Sequence, residues 1–266
     1  MSGMEELLRY DRVTIAYNGV PVVRDVSFSL REGEILGVVG ESGSGKSTLL
    51  KAAMGLLGPG GVVARGDIWF KGRNLPDLPE NELRRLSGPE LAMIFQHAGA
   101  SFCPIRSVGA QLFEAVSAHA DISEAEFREK AAALLQKLRF ENAARILESY
   151  PFELSGGMMQ RVGVAAAMLL NPAVLLADEP TSALDVSVQK QVVEEMLLIR
   201  ELWHTAIVIV THNIGVVRAM ADRVVVMKNG RIVESGDTRD VLEHPAQEYT
   251  KKLMAAVPKL RLRRGA

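Results

Sequence analysis

The chain has 266 residues, with 31 Lys and Arg against 32 Asp and Glu, five His and one Cys. At roughly 150 residues per domain, this is one large domain, or one domain with a subdomain and a short tail, able to bury a core without staples. The net charge of −1 excludes a broadly basic nucleic-acid binder, and the lone Cys103 excludes a disulfide framework or a four-cysteine metal cluster.

No run reaches about 18 consecutive apolar residues, so no single helix is expected to span a membrane. Met1 to Arg12 carries Glu5, Glu6 and Asp11 and does not read as a secretory signal. A soluble cytosolic protein is the expectation. In chain order, Arg12 to Leu30 alternates around Asn18-Gly19, a hairpin signal because both residues tolerate positive φ. Val26, Phe28 and Leu30 fall two apart, on one face of a strand. The run from Ile35 to Val39 reads as a strand buried on both faces, followed by a Gly-rich turn and a helix over Ser47 to Leu57. From about His97 to Leu170 strand signals are scarce, and Ser123 with Glu126 forms a capping box before an Ala-, Leu-, Glu- and Lys-rich segment. Val174 to Ala177 and Ile207 to Val210 are two more buried strands, joined by a helix over Val188 to Trp203 in a βαβ crossover. Val224 to Met227, Asn229-Gly230 and Arg231 to Val233 make a second hairpin. The last thirty or so residues read as helical, then basic and loose.

Three clusters carry chemistry. Gly40-Glu41-Ser42-Gly43-Ser44-Gly45-Lys46-Ser47 fits the phosphate-binding loop G-x-x-x-x-G-K-[ST] between a buried strand and a helix. Its glycines let backbone N–H groups converge on phosphate oxygens, Lys46 reaches the β- and γ-phosphates, and the Ser47 hydroxyl serves Mg²⁺. Asp178 and Glu179 end a buried strand, where the first would hold Mg²⁺ and the second would activate the attacking water. Leu154-Ser155-Gly156-Gly157-Met158-Met159-Gln160 offers a second anion nest at a helix start. One active site has no use for two phosphate cradles, so the second is read as capping a nucleotide held by another copy.

Together these motifs resemble the ATP-binding subunit of the ABC transporter family, over about Leu8 to Pro258. The resemblance implies a P-loop α/β core with an N-terminal antiparallel β part and an inserted helical subdomain. The core falls at about 1–96 and 171–240, the helices at about 97–170, and a C-terminal tail at about 241–266. It also implies roles for single residues. Gly40 to Ser47, with Thr48, matches the Walker A loop, Val174 to Asp178 Walker B, and Glu179 the catalytic base. Gln96 matches the Q-loop glutamine, a Mg²⁺ ligand beside Ser47 and Asp178; Ser182 to Asp185 matches the D-loop, with Asp185 at the nucleotide; His212 matches the switch histidine. Tyr17 matches the aromatic that stacks on adenine, and Ser155, Gly156 and Gly157 form the signature that reaches across a dimer.

Within the family, 179–189 (Glu-Pro-Thr-Ser-Ala-Leu-Asp-Val-Ser-Val-Gln), Gly236-Asp237-Thr238 and the segment from His244-Pro245 through Tyr249-Thr250 to Pro258 resemble the peptide and nickel importer group. The absence of any Cys after Cys103 is closer to the nickel and metallophore subunits. The resemblance implies two transmembrane permease subunits, a second ATP-binding subunit, an extracytoplasmic binding protein acting indirectly, and a peripheral place on the cytoplasmic face of the inner membrane. Three positions depart from the group: His97, the run Ala98 to Pro104, and Asn213. The first two fall where the family docks its membrane subunit. The alternative reading is a soluble ABC-type accessory ATPase of a cytosolic enzyme complex, like those of phosphonate degradation. Cys103 reads as a packed small residue, the five histidines offer no i,i+4 metal pair, and Lys259, Arg261, Arg263 and Arg264 read as a solvated tail.

Overall fold

Asn18 and Gly19 both take positive φ, 49° and 81°, and turn β1 (Glu6–Tyr17) into β2 (Val20–Arg31). The computed structural model describes residues 6–256; the basic positions 259–264 fall outside them. β1 starts six residues earlier than the alternation predicted. Glu6, Arg9 and Asp11 dilute the pattern there, yet Leu8 and Tyr10 are buried between them. β3 (Ile35–Gly40) is buried along its length and leads into α1 (Lys46–Ala53). That helix stops four residues before the expected Leu57. Gly55 at φ 67° closes it, with Leu56 N–H donating to Lys51 O at 2.7 Å and Gly55 N–H to Ala52 O at 3.2 Å.

β4 (Gly61–Phe70) and β5 (Arg73–Asn74) complete an antiparallel sheet in the order β2-β1-β4-β5. β1 bulges at Arg12 (φ 49°), and Gly66 lies across from the bulge, where a Cβ would run into the Asp11 and Arg12 carbonyls. The chain continues through α2 (Glu80–Leu86) and β6 (Leu91–Ile94). Then come α3 (Val108–Ser117), α4 (Glu124–Lys137), α5 (Ala143–Glu148) and α6 (Gly156–Met168). Among the described residues only helices and turns lie between β6 and β7 (Val174–Asp178), the helical subdomain. Ser123 and Glu126 cap α4 reciprocally: Glu126 N–H donates to Ser123 Oγ at 3.3 Å, and Ser123 N–H to Glu126 Oε2 at 2.9 Å.

α7 (Val186–Trp203) crosses from β7 to the parallel β8 (Ala206–Val210). α8 (Ile214–Met220), β9 (Arg223–Lys228), β10 (Arg231–Asp237), α9 (Thr238–Glu243) and α10 (Glu248–Ala255) follow. The second sheet runs β10-β9-β3-β8-β7-β6, parallel throughout except for β10. Its strands β7 and β8 read as apolar runs, yet their side chains alternate between two cores. Leu175, Ala177, Ile207 and Ile209 pack with the helices, while Leu176, Val208 and Val210 pack with the antiparallel sheet. α1 joins that second core. Tyr10 donates its hydroxyl to Leu49 O at 2.8 Å and stacks on Phe28 at 4.4 Å, and its burial pushes the phenol pKa up.

Cys103 is exposed, contrary to the packed position expected for it. Gln111 explains this: its side chain accepts from Cys103 N–H at 2.7 Å and donates to Cys103 O at 3.0 Å, so the residue's backbone faces α3. The preceding turn, Ala98–Ser101, lies on α6, where Gly163 leaves the room that Ala98 occupies.

Candidate nucleotide site

The loop between β3 and α1 owes its shape to two glycines. A Cβ on Gly40 would run into Met227 O, and Gly45, at φ 95°, ends the loop in a conformation that L side chains resist. Gly45 supplies no side-chain cap, so the N–H groups of the first turn of α1 are left to an outside acceptor. Lys46 folds back over its own loop, donating to Gly40 O at 2.9 Å and Glu41 O at 2.8 Å. Burial holds its pKa below the ordinary lysine value, against the opposing pull of Glu179 and Asp178. An ammonium parked on two carbonyls beside the uncapped N–H groups of α1 suits a polyanion.

Strand ends supply the rest. Asp178, the last residue of β7, is buried and accepts from Ser47 Oγ at 2.7 Å. Burial raises its carboxyl pKa, and the Ser47 bond works against that. Glu179 follows at φ 48°, with its N–H bonded to Val210 O at 2.8 Å. That strained backbone turns the side chain toward the residues after β8: His212 Nδ1 lies 2.9 Å from the Glu179 carboxylate, and Thr211 Oγ1 donates to it at 3.4 Å. Gln96, two residues past β6, donates to Ser182 Oγ at 3.4 Å, which leaves its amide oxygen for another partner. A serine hydroxyl, a carboxylate and an amide oxygen form a donor set that suits a hard divalent cation.

These parts meet in one cleft of about 580 Å³, lined by Val22, Ser42, Gly43, Gly45 to Thr48, Gln96, Glu179 and His212. It opens at the carboxyl ends of the parallel strands, where such sheets place ligands. Of the other expected residues, Gly40, Glu41 and Ser44 belong to the same loop and Asp178 is bonded to Ser47, while Tyr17, Ser155 to Gly157 and Asp185 stand apart from the lining. Tyr17 is at the tip of the hairpin that brings Val22 into the cleft, but its hydroxyl is tied to Leu57 O at 2.9 Å. Ser155 caps α6, accepting from Met158 N–H at 3.2 Å, and the cleft is lined by none of Ser155, Gly156 and Gly157. Asp185 caps α7 by accepting from Ser187 and Val188 N–H, both at 3.0 Å. The two caps adjoin, since a Cβ on Gly157 would press on the Val188 side chain.

Sequence reasoning did not find the buried pair behind the signature. Arg161 binds Glu195 of α7, reaches Leu138 O at 3.1 Å, and lies 4.3 Å over the Phe140 ring. Burial, partly offset by Arg161, raises the Glu195 carboxyl to about 7. An Arg after the signature and a mid-helix Glu at 195 carry no local signal, because their pairing depends on how α6 packs on α7.

A phosphate loop, a hydroxyl–carboxylate pair behind it and a second carboxylate turned into the cleft define a P-loop nucleotide hydrolase. Comparison with known proteins narrows the class. The family described as ABC transporter matches residues 23–182. The oligopeptide transport ATP-binding protein OppD of Salmonella typhimurium is 44% identical over 94% of this chain and 75% of its own length. The metal-staphylopine import system ATP-binding protein CntD of Staphylococcus aureus is 40% identical over 93% of this chain and 91% of its own. Among solved structures, the ATP-binding cassette MJ0796, a dimer in a post-hydrolysis state with ADP and Pi, superposes with a TM-score of 0.76. It is 26% identical over 88% of this chain and 99% of that one. The chain belongs to the ABC transporter family and is one of its ATP-binding, ATP-hydrolysing proteins. No helix among the described residues is long and apolar enough to cross a membrane.

Proposed function

We propose that this protein is the ATP-hydrolysing subunit of an importer for short peptides or metal chelates, nickel complexes included. It would work as two copies, or with a paralogue, against two transmembrane permease subunits on the cytoplasmic face of the inner membrane. One observation carries the reading. The cleft gathers Lys46, Ser47, Gln96, Glu179 and His212, with Asp178 bonded to Ser47, while the Ser155–Gly157 helix start lies outside its lining. Half of a shared site fits that split: the loop of one copy takes the triphosphate of ATP, and the signature of the other closes over it. The dimeric cassette among the solved relatives supports this.

The chemistry follows from the residues. Lys46 leaves its two carbonyls for the β- and γ-phosphates, and the uncapped N–H groups of α1 take the remaining oxygens. Ser47, Asp178 and Gln96 would hold Mg²⁺, which when bound neutralises phosphate charge as it develops. Glu179 accepts the proton of the attacking water, and His212 fixes the direction of that carboxylate. Tyr17 would face the adenine, and Asp185 holds the start of α7 beside the signature. An extracytoplasmic binding protein selects the cargo, so it reaches this chain only through the permeases. The relatives that import oligopeptides and metal-staphylopine support the cargo class, and the second is nearly spanned by this chain. Affinity purification from detergent-solubilised membranes tests the assignment. Two integral membrane partners are expected; capture of a soluble enzyme complex alone would overturn it.

A further inference from the structure

The segment from His244 to Thr250 resembles the importer group, yet nothing in the hydrolysis scheme uses it. The structure gives it a task. Glu234 on β10 accepts from Ala246 N–H at 2.7 Å and Gln247 N–H at 3.2 Å, which sets where α10 begins. Tyr249, Leu253 and Met254 of α10 pack on a small core that includes Val39, the residue just before Gly40. Lys228 Nζ stands 4.7 Å over the Tyr249 ring. From there the Tyr249 hydroxyl accepts from Glu41 N–H at 3.1 Å, a contact 208 residues apart in sequence.

The Gly40–Glu41 peptide is therefore held at both ends. Its carbonyl, Gly40 O, accepts from Lys46 Nζ at 2.9 Å, and its N–H donates to Tyr249. A peptide is planar, so pinning the N–H also fixes where the carbonyl points. Gly40 sits at φ 154° with no Cβ to restrict rotation, and Glu41 is exposed, so the loop itself offers little resistance to a flip. We propose that Tyr249 is a positioning residue for nucleotide binding: its hydroxyl locks the Gly40–Glu41 peptide and so pre-organises the phosphate loop and the resting place of Lys46. The helix α10 is thereby a working part of the ATP site. This rests on the loop binding the phosphates of ATP.

Tyr249 acts on loop geometry that serves ground state and transition state alike, so its loss falls on affinity and not on turnover. Tyr249→Phe keeps the ring, its packing and the Lys228 contact, and removes only the hydroxyl. Titration of the purified protein with a fluorescent ATP analogue, together with steady-state ATPase over a range of ATP, reads the effect. One hydrogen bond predicts a rise in Kd and KM of about two- to tenfold with kcat within about twofold. The thermal midpoint of the nucleotide-free protein should fall by no more than about 2–4 °C, the worth of one hydrogen bond at this chain length. Lys46→Ala serves as reference. If Lys46→Ala weakens binding and Tyr249→Phe does not, Tyr249 only packs and the proposal is wrong. If kcat falls at unchanged KM, or the midpoint falls with no change in KM, the positioning role is also overturned. If Lys46→Ala binds the analogue normally, the loop reading falls and the proposal with it.

Discussion

Replacing Glu179 with Gln separates proton transfer from everything else the residue does. Its backbone is held by the bond from its N–H to Val210 O, and its side chain is 12% exposed between Thr211 and His212. Gln has the same length, and its amide still bonds to Thr211 and to the His212 ring, so the cleft keeps its shape. What it cannot do at neutral pH is accept the proton of water. General-base catalysis contributes about 10²- to 10⁴-fold, which is about 3 to 5 kcal/mol of barrier. Phosphate release should fall by that factor, while ATP binding persists through Lys46, Ser47 and Asp178. The uncleaved γ-phosphate would then continue to join one copy's loop to the other's Ser155 and Gly157. A dimer should accumulate on size exclusion with Mg-ATP and vanish with ADP, or appear after mixing with the paralogue. Near-normal ATPase activity would remove Glu179 as the base. Lost hydrolysis with no dimer in either arrangement would leave the base in place and refute the shared site.

Other perturbations probe the metal donors and the frame. Ser47→Ala removes the 2.7 Å bond to the buried Asp178 and one oxygen donor, so half-maximal ATPase should need at least about tenfold more Mg²⁺; an unchanged magnesium titration would exclude Ser47 as a ligand. Phe127, 1% exposed and 5.4 Å from the Phe113 ring, anchors α4, and Phe127→Ala should cost about 3–5 kcal/mol in urea unfolding; a loss below about 1 kcal/mol would contradict that packing. Burial raises Glu195 from 4.5 to about 7 in the folded chain, so the folded state binds its proton more tightly than the unfolded one. Its contribution is therefore full below pH 4.5 and lost as the pH rises to about 7. The melting temperature of wild type relative to Glu195→Gln should drop across that window, and a constant difference would disprove the shift.

Local pattern reached much of this architecture because the decisive features are local. Asn18-Gly19 and Asn229-Gly230 can only be turns, and both pairs take positive φ. Buried strands such as β7 and β8 are apolar runs whatever the tertiary context. β4 was not read from the sequence, since Arg65, Gly66 and Asp67 interrupt it and its first half is mostly exposed; its pairing to β1 is what makes it a strand. Walker A and the Asp178-Glu179 pair were legible for the same local reason. The meeting of Gln96 and His212 with them rested on family resemblance, because three different crossovers bring those residues to one cleft. Contacts such as Tyr249 to Glu41 and Arg161 to Glu195 have no sequence signature. They depend on which helix faces which loop, and only packing decides that.

The loop after β6 leads from the parallel sheet into the helices α3 to α5, and α6 then carries the chain back toward β7, which pairs with β6. The helical subdomain is thus an overgrown connection between two neighbouring strands, emerging at the same edge as the nucleotide cleft. A connection can change its length and wording while the ladder behind it keeps its register. Positions 97–104, where this chain departs from its group, lie in that connection and not in the sheet. Under the proposed importer assignment, such a protein could be refitted to a new partner by rewriting one surface excursion. The carboxylates at the end of β7, and the loop they face, stay where they are.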